Sequence, residues 1–120
     1  MKKEMKIVIV GLGNIGSYFF TYLKKNKNII FNKTNTIPII RYVSARSLKK
    51  KRDFKISKKL WLKNCLLAPK IKEVDIIVEL IGGSDGIAKK LVFEALRNKK
   101  HVVTANKALV AKYGDELSRI

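Results

Sequence analysis

Apolar residues fall in short blocks whose spacing changes abruptly along the chain. Met5 to Val10 is an apolar run broken only by Lys6, rich in Ile and Val and stopped by Gly11. Such a run predicts a buried strand in a parallel sheet. From Asn14 the period becomes helical. Ile15, Phe19, Tyr22 and Leu23 stand at i, i+4, i+7 and i+8, one face of a helix that fades near Lys24-Lys25. Asn26 to Asn35 is polar and turn-like apart from Ile29, Ile30 and Phe31. Ile37 to Val43 reads as a second strand, with Pro38 near its start, where a missing N–H is tolerated.

Ser44 to Lys59 is polar and strongly basic and reads as a loop. Residues 60–72 fit either a short helix or a strand, closed by Pro69. Asp75 to Ile81 is the clearest strand, ended by Gly82-Gly83. Ala88, Leu91, Val92, Ala95 and Leu96 mark a helix face. His101 to Thr104 follows as a short strand, and Asn106 to Ile120 as a last helix carrying Leu109, Val110, Tyr113 and Leu117. Strands alternating with helices predict one α/β domain over residues 1–120, built on a mainly parallel sheet with right-handed crossovers.

Composition narrows the function classes. With 47% apolar residues, a chain of 120 can bury a core. Lys and Arg number 27 against 9 Asp and Glu, a net charge of +18 that favours anionic partners. The excess is mostly scattered Lys, with no stacking-aromatic motif and no helix-turn-helix, so any nucleic-acid binding is expected to be non-specific and salt-sensitive. One cysteine, Cys65, excludes an internal disulfide, and with one histidine, His101, no Cys/His metal cluster is expected. The start superficially resembles a signal peptide, but Glu4, Lys6 and Asn14 interrupt it and no small-residue cleavage site follows. No apolar run is long enough for a membrane span, so a cytoplasmic protein without a membrane partner is expected.

The first strand runs directly into Gly11-Leu12-Gly13-Asn14-Ile15-Gly16, a complete G-x-G-x-x-G opening a helix. Gly11 permits the tight turn, Gly13 admits a pyrophosphate close to the backbone, and Gly16 lets helix and strand approach. The first N–H groups of the helix then face the anion at the positive end of the helix dipole. This predicts a Rossmann-type, doubly wound domain. An NAD site usually carries an Asp or Glu at the end of the second strand, yet no acidic residue occurs between Met5 and Arg52. Arg46 stands there instead, followed by Lys49, Lys50, Lys51 and Arg52, a set suited to a 2′-phosphate. NADP is therefore the expected cofactor, with NAD the alternative.

The carboxy-terminal half adds more specific motifs. Val74 to Gly83 (VDIIVELIGG) and Lys99 to Leu117 (KKHVVTANKALVAKYGDEL), together with GLGNIG and the basic stretch from Arg46 to Arg52, resemble homoserine dehydrogenase over essentially the whole chain. The resemblance implies an oxidoreductase that interconverts aspartate 4-semialdehyde and L-homoserine in threonine, isoleucine and methionine biosynthesis. It implies that Gly11, Gly13, Asn14, Ile15 and Gly16 hold the pyrophosphate, and that Arg46 with a lysine such as Lys50 faces the adenosine ribose. Ile81, Gly82 and Ser84 would border the adenine and ribose side, with Thr104, Ala105 and Lys107 at the nicotinamide end. Lys107 is the expected catalytic residue, its ammonium meeting charge on the carbonyl oxygen. Glu79 reads as a structural hydrogen-bond partner and His101 as the start of a strand.

Family members continue into a substrate-binding and dimerisation domain. This chain is accordingly expected to be an amino-terminal portion with the substrate domain absent, inactive alone, from an enzyme that is a homo-oligomer. Two other readings stay open at this point. A stand-alone nucleotide-sensing module would account for a single such unit but not for the TANKAL segment, and a basic nucleic-acid module rests only on charge.

Overall fold

The computed structural model describes residues 3–45, 56–81 and 86–120. Four strands form one sheet: β1 (Lys3–Val10), β2 (Thr36–Ser44), β3 (Ile76–Glu79) and β4 (His101–Thr104). Their order is β2-β1-β3-β4, and every pair is parallel. The chain moves outward from β1 to β2, then returns to the other side of β1 for β3 and β4. That reversal makes the carboxyl edge between β1 and β3 the switch point, where open α/β sheets bind their ligands.

Alternation along β1 divides the core in two. Val8 and Val10 pack with Cys65, Ala68, Val74, Ile77, Leu91 and Ala95 on one face, and Ile7 and Ile9 pack with Leu12, Phe20, Leu23, Val43 and Val78 on the other. The first face is covered by α3 (Ile87–Arg97) and the second by α1 (Asn14–Lys25). From Ile7 to Val10 the strand is buried on both sides and has no polar face to show, so this part of β1 reads as an apolar run. Pro38 lies in β2, an edge strand, as its missing N–H requires.

Local structure departs from the periodicity at three places. The buried side of α1 is Gly16, Phe20 and Leu23, while Ile15, Tyr18 and Tyr22 face outward, the two tyrosines stacked at 6.0 Å. Gly16 must lie against the β1 turn, and it turns Phe20 and Leu23 inward with it. Residues 26–35 are not a turn but hold α2 (Lys27–Thr34), closed by Asn35 in the left-handed region at φ 57. None of its residues is buried and only Ile30 packs on the core, which is why no periodicity announced it. Residues 60–72 hold a short helix, one of the two readings, but it is of 3₁₀ type and Pro69 lies inside it and does not close it. They include part of one 3₁₀ turn, Lys58–Leu60, and all of another, Cys65–Lys70.

The remaining helix, α4 (Lys107–Ser118), buries only Leu109 of its expected face, and Val110 is exposed. Cys65 is free and buried. Burial pushes its thiol up from its ordinary value and the charge of Glu79 adds to this, while a backbone hydrogen bond works the other way. Among the described residues, no helix is long and apolar enough to cross a membrane, and no group of three or more His, Cys, Asp or Glu is placed to hold a metal.

Candidate functional site

The glycine turn leaves β1 at the switch point. Gly11 has φ 102, and a Cβ there would stand 2.7 Å from the Leu80 carbonyl oxygen, so both the conformation and the space require glycine. Its N–H donates to the Ser44 carbonyl at 2.8 Å, which sets the end of β2 beside the turn. At Gly16 a Cβ would fall 1.9 Å from the Gly11 carbonyl oxygen, an impossible approach. Gly13 differs from both. It is exposed with an ordinary φ of −72, and a Cβ there would meet nothing within 4 Å. No neighbouring protein atom calls for glycine at this position, and the backbone there is left open to a ligand.

Gly13 is also the N-cap of α1, and it offers no side chain to cap the helix. No acidic residue occurs in the first turn. The first N–H groups of α1 are thus left to an anion, where the helix dipole favours one. Asn14 and Ile15 are exposed at this end. These residues fit a dinucleotide pyrophosphate by their own geometry.

Beside the turn, the ends of β3 and β4 are tied together by a fully buried carboxylate. Glu79 Oε2 accepts from the Ile81 N–H at 2.7 Å, and Glu79 Oε1 accepts from the Thr104 hydroxyl at 2.5 Å. Thr104 Oγ1 accepts in turn from the Asn106 N–H at 3.0 Å, and Asn106 Oδ1 caps α4 by accepting from the Leu109 N–H at 2.9 Å. Lys107, exposed, is the first residue of α4. The carboxyl edge therefore gathers Gly11–Gly16, Ile81, Thr104 and Lys107, as expected from strand ends. Arg46, Lys50, Gly82 and Ser84 lie outside the described residues. The sequence marks Glu79 as a hydrogen-bond partner but does not single out Asn106; the signal for the latter is an Asn directly before a new helical period.

An open cleft of about 690 Å³ lies elsewhere, along α3 between the Cys65–Lys70 turn and Glu116 of α4, with Lys89, Lys90, Phe93 and Arg97 in its wall. Its charges are partly spent internally, Arg97 pairing with Glu94 at 3.0 Å.

Comparison with known proteins places residues 11–119 on the family model described as the NAD binding domain of homoserine dehydrogenase. The chain is 34% identical over 115 residues to homoserine dehydrogenase of Bacillus subtilis, covering 96% of this chain and 26% of that protein. Among solved structures, Staphylococcus aureus homoserine dehydrogenase at pH 6.5 superposes with a TM-score of 0.88 at 32% identity, covering 99% of this chain and 30% of the other. The Thiobacillus denitrificans homoserine dehydrogenase gives a TM-score of 0.87 at 36% identity, covering 98% and 27%. The chain thus spans about a quarter of the length of the curated relatives it matches.

Proposed function

Because the chain belongs to the homoserine dehydrogenase family, through its NAD-binding domain, we propose that it forms the cofactor-holding part of an enzyme interconverting aspartate 4-semialdehyde and L-homoserine. The observation that carries this is the open space over Gly13 at an uncapped helix N-terminus, on the same carboxyl edge of the sheet as the TANK end of β4 and one strand away from it. Gly11, Gly13, Asn14, Ile15 and Gly16 hold the pyrophosphate, Ile81 and Gly82 border the adenine and ribose side, and Thr104 and Lys107 approach the nicotinamide. The bound reduced nicotinamide supplies a hydride. Lys107 Nζ donates a hydrogen bond to the aldehyde oxygen, meets the negative charge that develops there, and delivers the proton that completes the alcohol. In the reverse direction the same nitrogen takes that proton. The product serves amino-acid biosynthesis towards threonine, isoleucine and methionine.

NADP is the preferred cofactor in this proposal. The end of β2 lies against the glycine turn, Arg46 follows two residues after Ser44, and no carboxylate occurs from Met5 to Arg52 to repel a 2′-phosphate. In this proposal the forked guanidinium of Arg46 binds that phosphate, and Lys50 adds a second positive charge for it. Arg46→Asp is expected to weaken NADPH binding by about tenfold to 150-fold, the worth of one charge-assisted contact, and NADH binding much less. Calorimetric titration of both cofactors checks this, and equal losses would remove Arg46 from the 2′-phosphate site.

A further inference from the structure

Glu79 sits in an apolar strand whose other members are Ile76, Ile77 and Val78, and it is fully buried. A carboxyl group there is costly to bury unless hydrogen bonds replace its hydration, and an apolar residue would pack the sheet without that cost. What Glu79 adds is connection. One oxygen takes the Ile81 N–H, just beyond β3, and the other takes the hydroxyl of Thr104, its register partner on β4. The same threonine oxygen takes the Asn106 N–H, and Asn106 closes the first turn of α4 onto Leu109. Lys107 lies between these two fixed points. On its other side Leu80 is packed against the Gly11 backbone. The bonds thus run along the edge from the residue after β3 to the first turn of α4.

We propose that Glu79 is a positioning residue whose buried carboxylate fixes the Thr104–Lys107 segment against the Ile81 backbone, so that Thr104 and Lys107 meet the nicotinamide end of the dinucleotide in one fixed geometry. This rests on the dinucleotide reading above and deepens it. The glycine turn keeps its own hold on the pyrophosphate, so the effect of Glu79 is confined to the nicotinamide half of the ligand. Preorganisation of this kind lowers the cost of ordering the segments on binding.

The test uses two ligands, NADPH and 2′-phosphoadenosine diphosphate ribose, which lacks the nicotinamide. Their dissociation constants are measured calorimetrically on the chain, on Glu79→Gln, which keeps the volume but turns one acceptor into a donor, and on Thr104→Val, which removes the hydroxyl. Both variants are expected to lose about tenfold in NADPH affinity, roughly one hydrogen bond to a charged group, with the nicotinamide-free ligand nearly unchanged. Thr104→Ser, which keeps the hydroxyl, is expected to recover most of the loss. Equal losses for the two ligands, or none, would overturn the inference while leaving the dinucleotide reading intact. So would equal binding of both ligands by the unaltered chain, or loss of cooperative unfolding in both variants. If Glu79→Gln alone fails to fold, Thr104→Val and its serine counterpart decide. Absence of binding by the unaltered chain would overturn the dinucleotide reading itself, and the inference with it.

Discussion

Gly16→Ala is expected to destabilise the domain by about 3 kcal/mol or more, a fall of roughly 10–20 °C in Tm. Two effects oppose each other here. Alanine is the better helix former by about 1 kcal/mol, which on an exposed helix would stabilise α1. At residue 16, however, the new Cβ stands 1.9 Å from the Gly11 carbonyl oxygen, and that oxygen belongs to backbone, not to a flexible side chain. Either α1 lifts away from β1 or the turn is rebuilt, and both loosen the packing of Phe20 and Leu23. The clash wins. Gly13→Ala is the matching comparison, because its Cβ meets nothing within 4 Å and φ is already suited to alanine. Its melting transition is expected to stay where it is while dinucleotide affinity falls about tenfold or more, because the added methyl pushes the pyrophosphate away from the backbone N–H groups. Thermal unfolding of the two variants, followed by circular dichroism, separates the glycine the fold requires from the one the ligand requires.

Lys107→Ala carries the largest expected effect on chemistry. In a full-length dehydrogenase carrying this domain, kcat is expected to fall by roughly 10²–10⁴, since in the proposed mechanism the ammonium acts on charge that develops only as hydride arrives. Cofactor affinity is expected to change far less, because the glycine turn does not depend on this side chain. Stability is expected to hold as well. Lys107 is exposed, and the cap of α4 is made by Asn106. Steady-state kinetics with homoserine and NADP, set beside the melting temperature, decide among the roles. A near-normal rate would make Lys107 a surface lysine, and a collapsed melting transition would make it structural.

What was legible in the chain follows from which signals are local. β1 and β4 could be read directly, the first from its apolar run broken only by Lys6, although the strand begins earlier, at Lys3, and the second at its observed bounds, His101–Thr104. The glycine turn was equally readable, because its constraint lies within six consecutive residues. The inner face of α1 was readable only in part. Counting apolar residues selects Ile15, Phe19, Tyr22 and Leu23, of which Leu23 is buried and Phe19 packs on the core. The need to bring a Cβ-less residue against the turn instead selects Gly16 and hence Phe20, and leaves Ile15 and Tyr22 outside. α2 escaped for the opposite reason, since a helix that buries nothing leaves no period to read. At the site, Glu79 stood out as an acid in an apolar strand. Its link to Thr104, however, is a product of the β3–β4 register, joining residues 25 apart in sequence. Such a pairing belongs to the folded sheet and has no local signature.

The central claim is that the carboxyl edge between β1 and β3 holds a nicotinamide dinucleotide, and backbone amide NMR tests it residue by residue. On titration of the ¹⁵N-labelled chain with NADPH at physiological salt, the amides of Leu12, Gly13, Asn14, Ile15 and Gly16 are expected to shift most. Those of Ile81, Thr104 and Lys107 should follow at the same ligand concentrations, as one saturable event. Shifts spread over lysine-rich surfaces and fading with added salt would mean that the charge of +18, and not the glycine turn, attracts the nucleotide. That result would contradict the account.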